Sequence, residues 1–273
     1  MITQEILNRK GARKVQDIPA EVLALLNSGK IETVNLTEWL AIDHAELIAH
    51  TFPSFGIAEA NIKILVEAVS KQKKPTAMNS TKLIGSTLYE LYASKASFAA
   101  LLQHLRTHLA DSIRGYAPYL IAADETLTIE EKLNNSIDLV SDHHFGIREV
   151  VWFALRPEID KHLDTSIRFL SNWAESDDEN VRRFTTEATR PRGVWCKHIE
   201  RLKENPEIAL PILEKLKADS AKYVQDSVGN WLNDASKTQP EFVIELCERW
   251  KKESPTKETE KIIKRARRTI DKK

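Results

Sequence analysis

Apolar residues recur along this chain at the interval of a helical turn. Over residues 54–74, Ile57, Ile62, Leu65, Val66 and Val69 fall on one stripe, which predicts an amphipathic helix. Upstream, Thr37 is a candidate cap for a helix running through Leu40, Ile42 and Leu47. The basic run KQKKP, residues 71–75, interrupts the pattern and reads as a solvated interhelix loop, with a nucleic-acid contact as the alternative. A further helix pair is expected over 81–109, followed by a connection carrying Gly115, Tyr116 and Pro118. No long linker or low-complexity segment divides the chain. The pattern describes one elongated domain over 1–273, with leading helices over 1–132 and clearer repeats over 133–273.

Those repeats share a helix-opening pattern. DHHFGIRE from Asp142, DENVRR from Asp178 and DSAKYVQD from Asp219 each place an acidic cap ahead of a β-branched anchor and polar residues. The anchors Ile147, Val181 and Val224 stand 34 and 43 residues apart. That range brackets HEAT and armadillo repeats, whose helix pairs bury each other's apolar faces by stacking. Pro157, Pro206 and Pro240 are expected to mark the turn between helices or the start of the second helix, and a basic helix over 257–273 closes the array. The predicted fold is all-α, a HEAT-like helical-repeat solenoid with a concave face.

Composition narrows the class. The chain is 42% hydrophobic and 29% charged, as in a folded domain, and its 8 Gly and 10 Pro are few for an all-β protein. Cys196 and Cys247 lack metal-ligand spacing and are too few for a disulfide framework, so a reduced cytoplasmic compartment is expected. Residues 1–14 carry no signal-peptide core, and no apolar run approaches a membrane span. Lys+Arg and Asp+Glu are equal at 40 each. A nucleic-acid binder must then gather its cations on one face, with acids on the opposite face or in a reaction centre.

Two segments are distinctive: NVRRFTTEATRPRGVW, residues 180–195, and YVQDSVGNWLNDASKTQP, residues 223–240. Together they resemble the AlkC branch of the AlkC/AlkD DNA-alkylation-repair glycosylases, which carry an RR…E…RPRG.W segment followed by YV…SV.N.LND.SK..P. FGIREVVW, residues 145–152, resembles the signature of the preceding repeat. The resemblance is strong over residues 140–250 and fainter towards the N-terminus, where LNSG from Leu26 and TVNLTEW from Thr33 are compatible with the family's leading helices. The chain is expected to lack the C-terminal immunoglobulin-like domain of some members.

The resemblance implies a cofactor-free, metal-free glycosylase, monomeric by default, whose partner is double-stranded DNA containing alkylated bases. Glu149, Glu187 and Asp234 would be its catalytic carboxylates and Trp195 the aromatic packed near the lesion. An N3-alkylated adenine or cytosine is already cationic and leaves readily, so the catalyst mainly needs negative charge near an oxocarbenium-like sugar. From the residues alone, the same acids read as helix-surface groups paired with Arg148, Arg182, Arg183 or Arg190. Arg190 and Arg192, flanking Pro191, could hold phosphates bidentately or form ion pairs between repeats. Arg148 and Arg182 are further candidate DNA contacts. Asn230 and Asn233 share a helix face with Asp234 and could touch the DNA backbone or link helices. Trp152, Trp173, Trp231 and Trp250 are expected to pack between helices, and His143 and His144 to form a solvated cap. Lys261, Lys264, Arg265, Arg267 and Arg268 could steer DNA or simply solvate a helix end. The competing function is a non-catalytic HEAT scaffold binding nucleic acid or protein.

Overall fold

Capping residues set the register of the helices. Asp142 accepts a hydrogen bond from the backbone N–H of His144 (2.7 Å), Asp178 from that of Asn180 (2.8 Å) and Asp219 from that of Ala221 (2.8 Å). Asp178 is the N-cap of Glu179–Glu187, whereas Asp142 and Asp219 hold the turns just ahead of their helices, and Lys222–Ala235 opens on Ala221 without a side-chain cap. The computed structural model describes residues 2–272, and no strand occurs among them. Packing divides the chain into two units. The first takes the residues up to Thr126 together with Asp142–Ala154, and the second Leu127–Ser141 together with Leu155 onward.

In the first unit, several boundaries differ from the sequence expectation. Asn35, not Thr37, caps the helix Leu36–Leu40, and Asp43 opens a new helix at His44–Thr51. The stripe over 54–74 is broken by a 3-10 turn, Phe52–Phe55, ending on Gly56 at φ 71°, before the helix Glu59–Ser70 begins. A left-handed residue there ends any continuous helix, and glycine adopts it without steric cost. The basic run 71–75 is the expected loop, leading into Ala77–Tyr92 and then Phe98–Arg106. Trp39, Ala77, Tyr119, Val150 and Ala154 form one apolar cluster. His144 is buried rather than solvated, with Nε2 2.7 Å from the Thr33 carbonyl, while exposed His143 meets Glu32.

The second unit shows two layers. Glu179–Glu187 packs on Lys222–Ala235, which packs on Lys257–Ala266. In the other layer, Ile129–Asn134 packs on Leu163–Trp173, which packs on Leu210–Leu213. Gly229 lets Lys222–Ala235 and Lys257–Ala266 approach closely, since a Cβ there would strike the aliphatic stem of Arg265. Pro206 and Pro240 open helical segments as expected. Pro157 instead lies inside the helix Phe145–Lys161, held there by packing of the buried Leu155 and Ile159 on either side.

A side-chain ladder recurs through both units. Arg114 donates to the carbonyls of His108 (2.9 Å) and Leu109 (2.8 Å), and Arg148 to those of Asp142 (2.7 Å) and His143 (2.9 Å). Arg182 repeats this with Ser176 (2.8 Å) and Asp177 (3.0 Å), and Gln225 with Asp219 (2.8 Å) and Ser220 (3.3 Å). Within the first unit Arg114 also reaches Asp142 (2.7 Å), and within the second Arg182 reaches Asp219 (2.6 Å). Each rung satisfies backbone carbonyls, and the Arg114 and Arg182 rungs also anchor the acid that opens the following segment, which accounts for the recurrence of Asp and Arg there.

Candidate functional site

Glu187 ends the helix Glu179–Glu187, and Asp234 lies in the last turn of Lys222–Ala235. Val181 and Phe184 on the first helix, and Val224, Val228 and Leu232 on the second, are buried where these elements pack. Between them runs a polar seam. The Thr186 and Ser227 hydroxyls are 2.7 Å apart, and Ser227 donates to Glu187 Oε1 at 2.7 Å. Trp231 Nε1 donates to the Thr189 carbonyl at 2.9 Å.

Arg190 follows directly and joins the two acids. Its Nε and Nη2 lie 2.8 and 2.7 Å from Asp234 Oδ2, and its Nη1 lies 3.5 Å from Glu187 Oε2. Lys237 reaches Asp234 Oδ1 at 2.9 Å, and Arg183, stacked over the Tyr223 ring, stands 3.6 Å from Glu187. Both carboxylates are buried, Glu187 at 5% and Asp234 at 2% exposure. Burial works against the Arg190 cation, but Glu187 and Asp234 outweigh it and hold its pKa above the ordinary value. The cluster is a buried network of alternating charge, able to place negative charge beside a cationic group that displaces one of its partners.

Trp195 projects from the loop 188–199, which also carries Arg190. It is 76% exposed and has φ 58°, the one described residue other than glycine with a positive φ. A bulky residue rarely adopts that conformation, so the surrounding loop must enforce it. Val194 beside it is also exposed.

The other predicted residues divide. Arg192 is half-buried, and its Nε has no hydrogen-bond partner among the described residues. Glu149 belongs to the first unit, where Trp152 Nε1 donates to its carboxylate at 2.9 Å. Arg148 and Arg182 are ladder residues whose guanidinium groups donate to backbone carbonyls just ahead of their helices. Asn233 is buried and bonded to the Ala266 carbonyl, Thr269 and Arg268, which makes it an interhelix link. Asn230 is half-buried, with Arg265 at 3.5 Å. Of the terminal basic cluster, Arg265 pairs with Asp226 and Arg267 with Glu248, while Lys261 and Lys264 are exposed. The buried Trp152, Trp231 and Trp250 pack as expected. Sequence reasoning missed Lys237, Ser227 and Arg156. Ser227, lying at helical spacing from Asp234 on one face, was detectable by that spacing.

The family model described as DNA alkylation repair enzyme matches residues 41–268. Over 121 residues the chain is 44% identical to the uncharacterized protein YhaZ of Bacillus subtilis (strain 168), a match covering 44% of this chain and 33% of that protein. Its fold is similar to that of Pseudomonas fluorescens alkylpurine DNA glycosylase AlkC bound to DNA containing an abasic site analog, at TM-score 0.65 and 22% identity. That likeness covers 96% of this chain and 66% of AlkC. AlkD2 from Streptococcus mutans is similar at TM-score 0.59 and 24% identity, over 78% of this chain and 98% of that one. The chain thus spans about a third of YhaZ and just under two thirds of AlkC. These likenesses define the fold as a HEAT-like helical repeat.

Proposed function

The chain belongs to the DNA alkylation repair enzyme family, and from that premise we propose that it is a DNA glycosylase excising cationic N3-alkylated bases such as 3-methyladenine or 3-methylcytosine in base excision repair. The observation that carries the proposal is the buried Glu187–Arg190–Asp234 network, whose Arg190 shares the loop 188–199 with the exposed Trp195. The partner is double-stranded DNA. Its phosphates compete for Lys237, the more exposed cation on Asp234, and for Arg192 with its unpartnered Nε. Drawing Lys237 away frees Asp234 Oδ1 to face a sugar gaining positive charge as its bond to the base breaks. The carboxylate stabilises that charge and orients the attacking water, and the indole face of Trp195 lies against the cationic lesion. Glu187 holds Arg190 in place behind Asp234. Glu149, carried by the first unit, enters through its motif, with Trp152 fixing its rotamer.

The same burial favours a second reading, a non-catalytic scaffold in which Asp234 and Arg190 only tie two helices together. Mass spectrometry of bases released from methylated duplex DNA separates the two. The glycosylase reading expects free 3-methyl bases from the wild-type protein, and loss of release in Glu149→Gln and Asp234→Asn with duplex binding retained. Equal release from both variants and wild type would remove these carboxylates from the chemistry.

A further inference from the structure

Arg156 is a buried arginine with no carboxylate in its hydrogen-bond shell. It is 3% exposed, and its Nε, Nη1 and Nη2 donate to the carbonyls of Lys197 (3.1 Å), Ala188 (2.9 Å) and Arg190 (2.5 Å). One side chain on the second-unit part of the helix Phe145–Lys161 therefore grips the loop 188–199 at both of its ends. The Ile199 N–H closes the same loop onto the Pro191 carbonyl at 3.1 Å. Gly193 completes the enclosure, because a Cβ there would strike both the Arg156 guanidinium and Cys196 Sγ. Burying a cation is strongly unfavourable unless its donors are met. Here carbonyl dipoles meet them, with Asp160 and Asp234 contributing at longer range, and burial still lowers the Arg156 pKa below its ordinary value. A costly group spent entirely on the backbone of one loop points to that loop's shape as its purpose. That shape includes the left-handed backbone that turns the Trp195 indole into solvent.

We propose that Arg156 is a positioning residue whose three donors hold loop 188–199 rigid and present the Val194–Trp195 tip for contact with DNA. The contact itself rests on the glycosylase reading; the rigidity does not. Lysine cannot replace the fork, since an ammonium cannot reach three carbonyls in one plane. The role is distinct from that of Arg190, whose donors go to carboxylates.

Amide hydrogen exchange and fluorine NMR on 5-fluorotryptophan-labelled full-length protein, with Trp195 assigned by Trp195→Phe, test this directly. Arg156→Met is expected to speed exchange about tenfold or more across 188–199 and to narrow the Trp195 resonance, leaving Trp250 unchanged. Arg156→Lys falls between that variant and wild type. Gly193→Ala keeps the guanidinium and crowds it, so it loosens the same segment should Arg156→Met fold poorly. Affinity for a duplex carrying an abasic-site analogue drops about tenfold in Arg156→Met, the effect of losing one ordered contact. Unchanged exchange and linewidth in both Arg156→Met and Gly193→Ala would overturn the assignment. These readouts need no DNA, so they decide for Arg156 whether or not the glycosylase reading survives.

Discussion

Asp234 is asked to be two things, half of a buried ion pair and a reactant, and the two can be separated by mutation. Asp234→Asn leaves the Arg190 cation buried with only Glu187 at 3.5 Å, and breaking a buried pair on one side costs roughly 3 kcal/mol. Replacing both partners, as in Arg190→Met with Asp234→Leu, is expected to recover most of that stability while base release stays lost. Urea denaturation of the single and double variants measures the first half, and recovery of activity with stability would make Asp234 purely structural. His44 makes a separate residue-scale prediction. Burial lowers its pKa from 6.5 to about 4, against an opposing pull from Asp43, and its Nε2 has no partner among the described residues. The folded state resists protonation and the unfolded state does not. Stability is therefore complete above the unfolded pKa and is lost as pH falls from 6.5 towards 4, by roughly 2–3 kcal/mol at the lower end. Denaturation of wild type and His44→Gln at pH 7 and 4.5 should show that extra loss only in the wild type; identical pH slopes would refute it.

At the scale of elements, the ladder from Arg114 through Arg148 and Arg182 to Gln225 is the repeat made physical. Because Gln225 occupies the rung that Arg182 occupies one repeat earlier, Arg182→Gln should keep the backward bonds and lose only the Asp219 pair, at about 3 kcal/mol. Arg182→Met loses that pair and strips the backward bonds as well, at about 1 kcal/mol more. Thermal denaturation should rank them in that order, and equal losses would mean the backward bonds contribute nothing. Elements of this kind were legible because their causes are local. Asp142, Asp178 and Asp219 each bond to the backbone N–H two residues on, so spacing alone locates them. The ladder also begins one rung earlier, at Arg114, than the apolar anchors reveal, since that segment keeps the arginine without the shared opening pattern. Local ambiguity accounts for the misplaced cap at Thr37, because Asn35 and Asp43 offer better-placed acceptors. Pro157 misled because tertiary packing kept a helix going through a residue that ordinarily ends one.

For the whole molecule, the helical-repeat architecture was readable from periodicity, and the family from two motif segments. The candidate site was only half readable. Motifs located Glu187, Asp234, Arg190 and Trp195, but not that Arg190 would bridge both acids, nor that Arg156 would hold the adjoining loop. Arg156 bonds to carbonyls 32 or more residues away, and a carbonyl leaves no mark in a sequence. The ladder bonds of Arg148 and Arg182 left no mark either, since their partners too are carbonyls. The account stands on one chemical claim, that carboxylates assist departure of a base that is already cationic. Single-turnover excision from two duplexes, one carrying 3-methyladenine and the other its neutral isostere 3-methyl-3-deazaadenine, tests it most directly. Release of the charged base, sharply slowed in Asp234→Asn, with the neutral isostere left intact, is the predicted result. Excision of both at the same rate, or of neither by the wild-type protein, would contradict it.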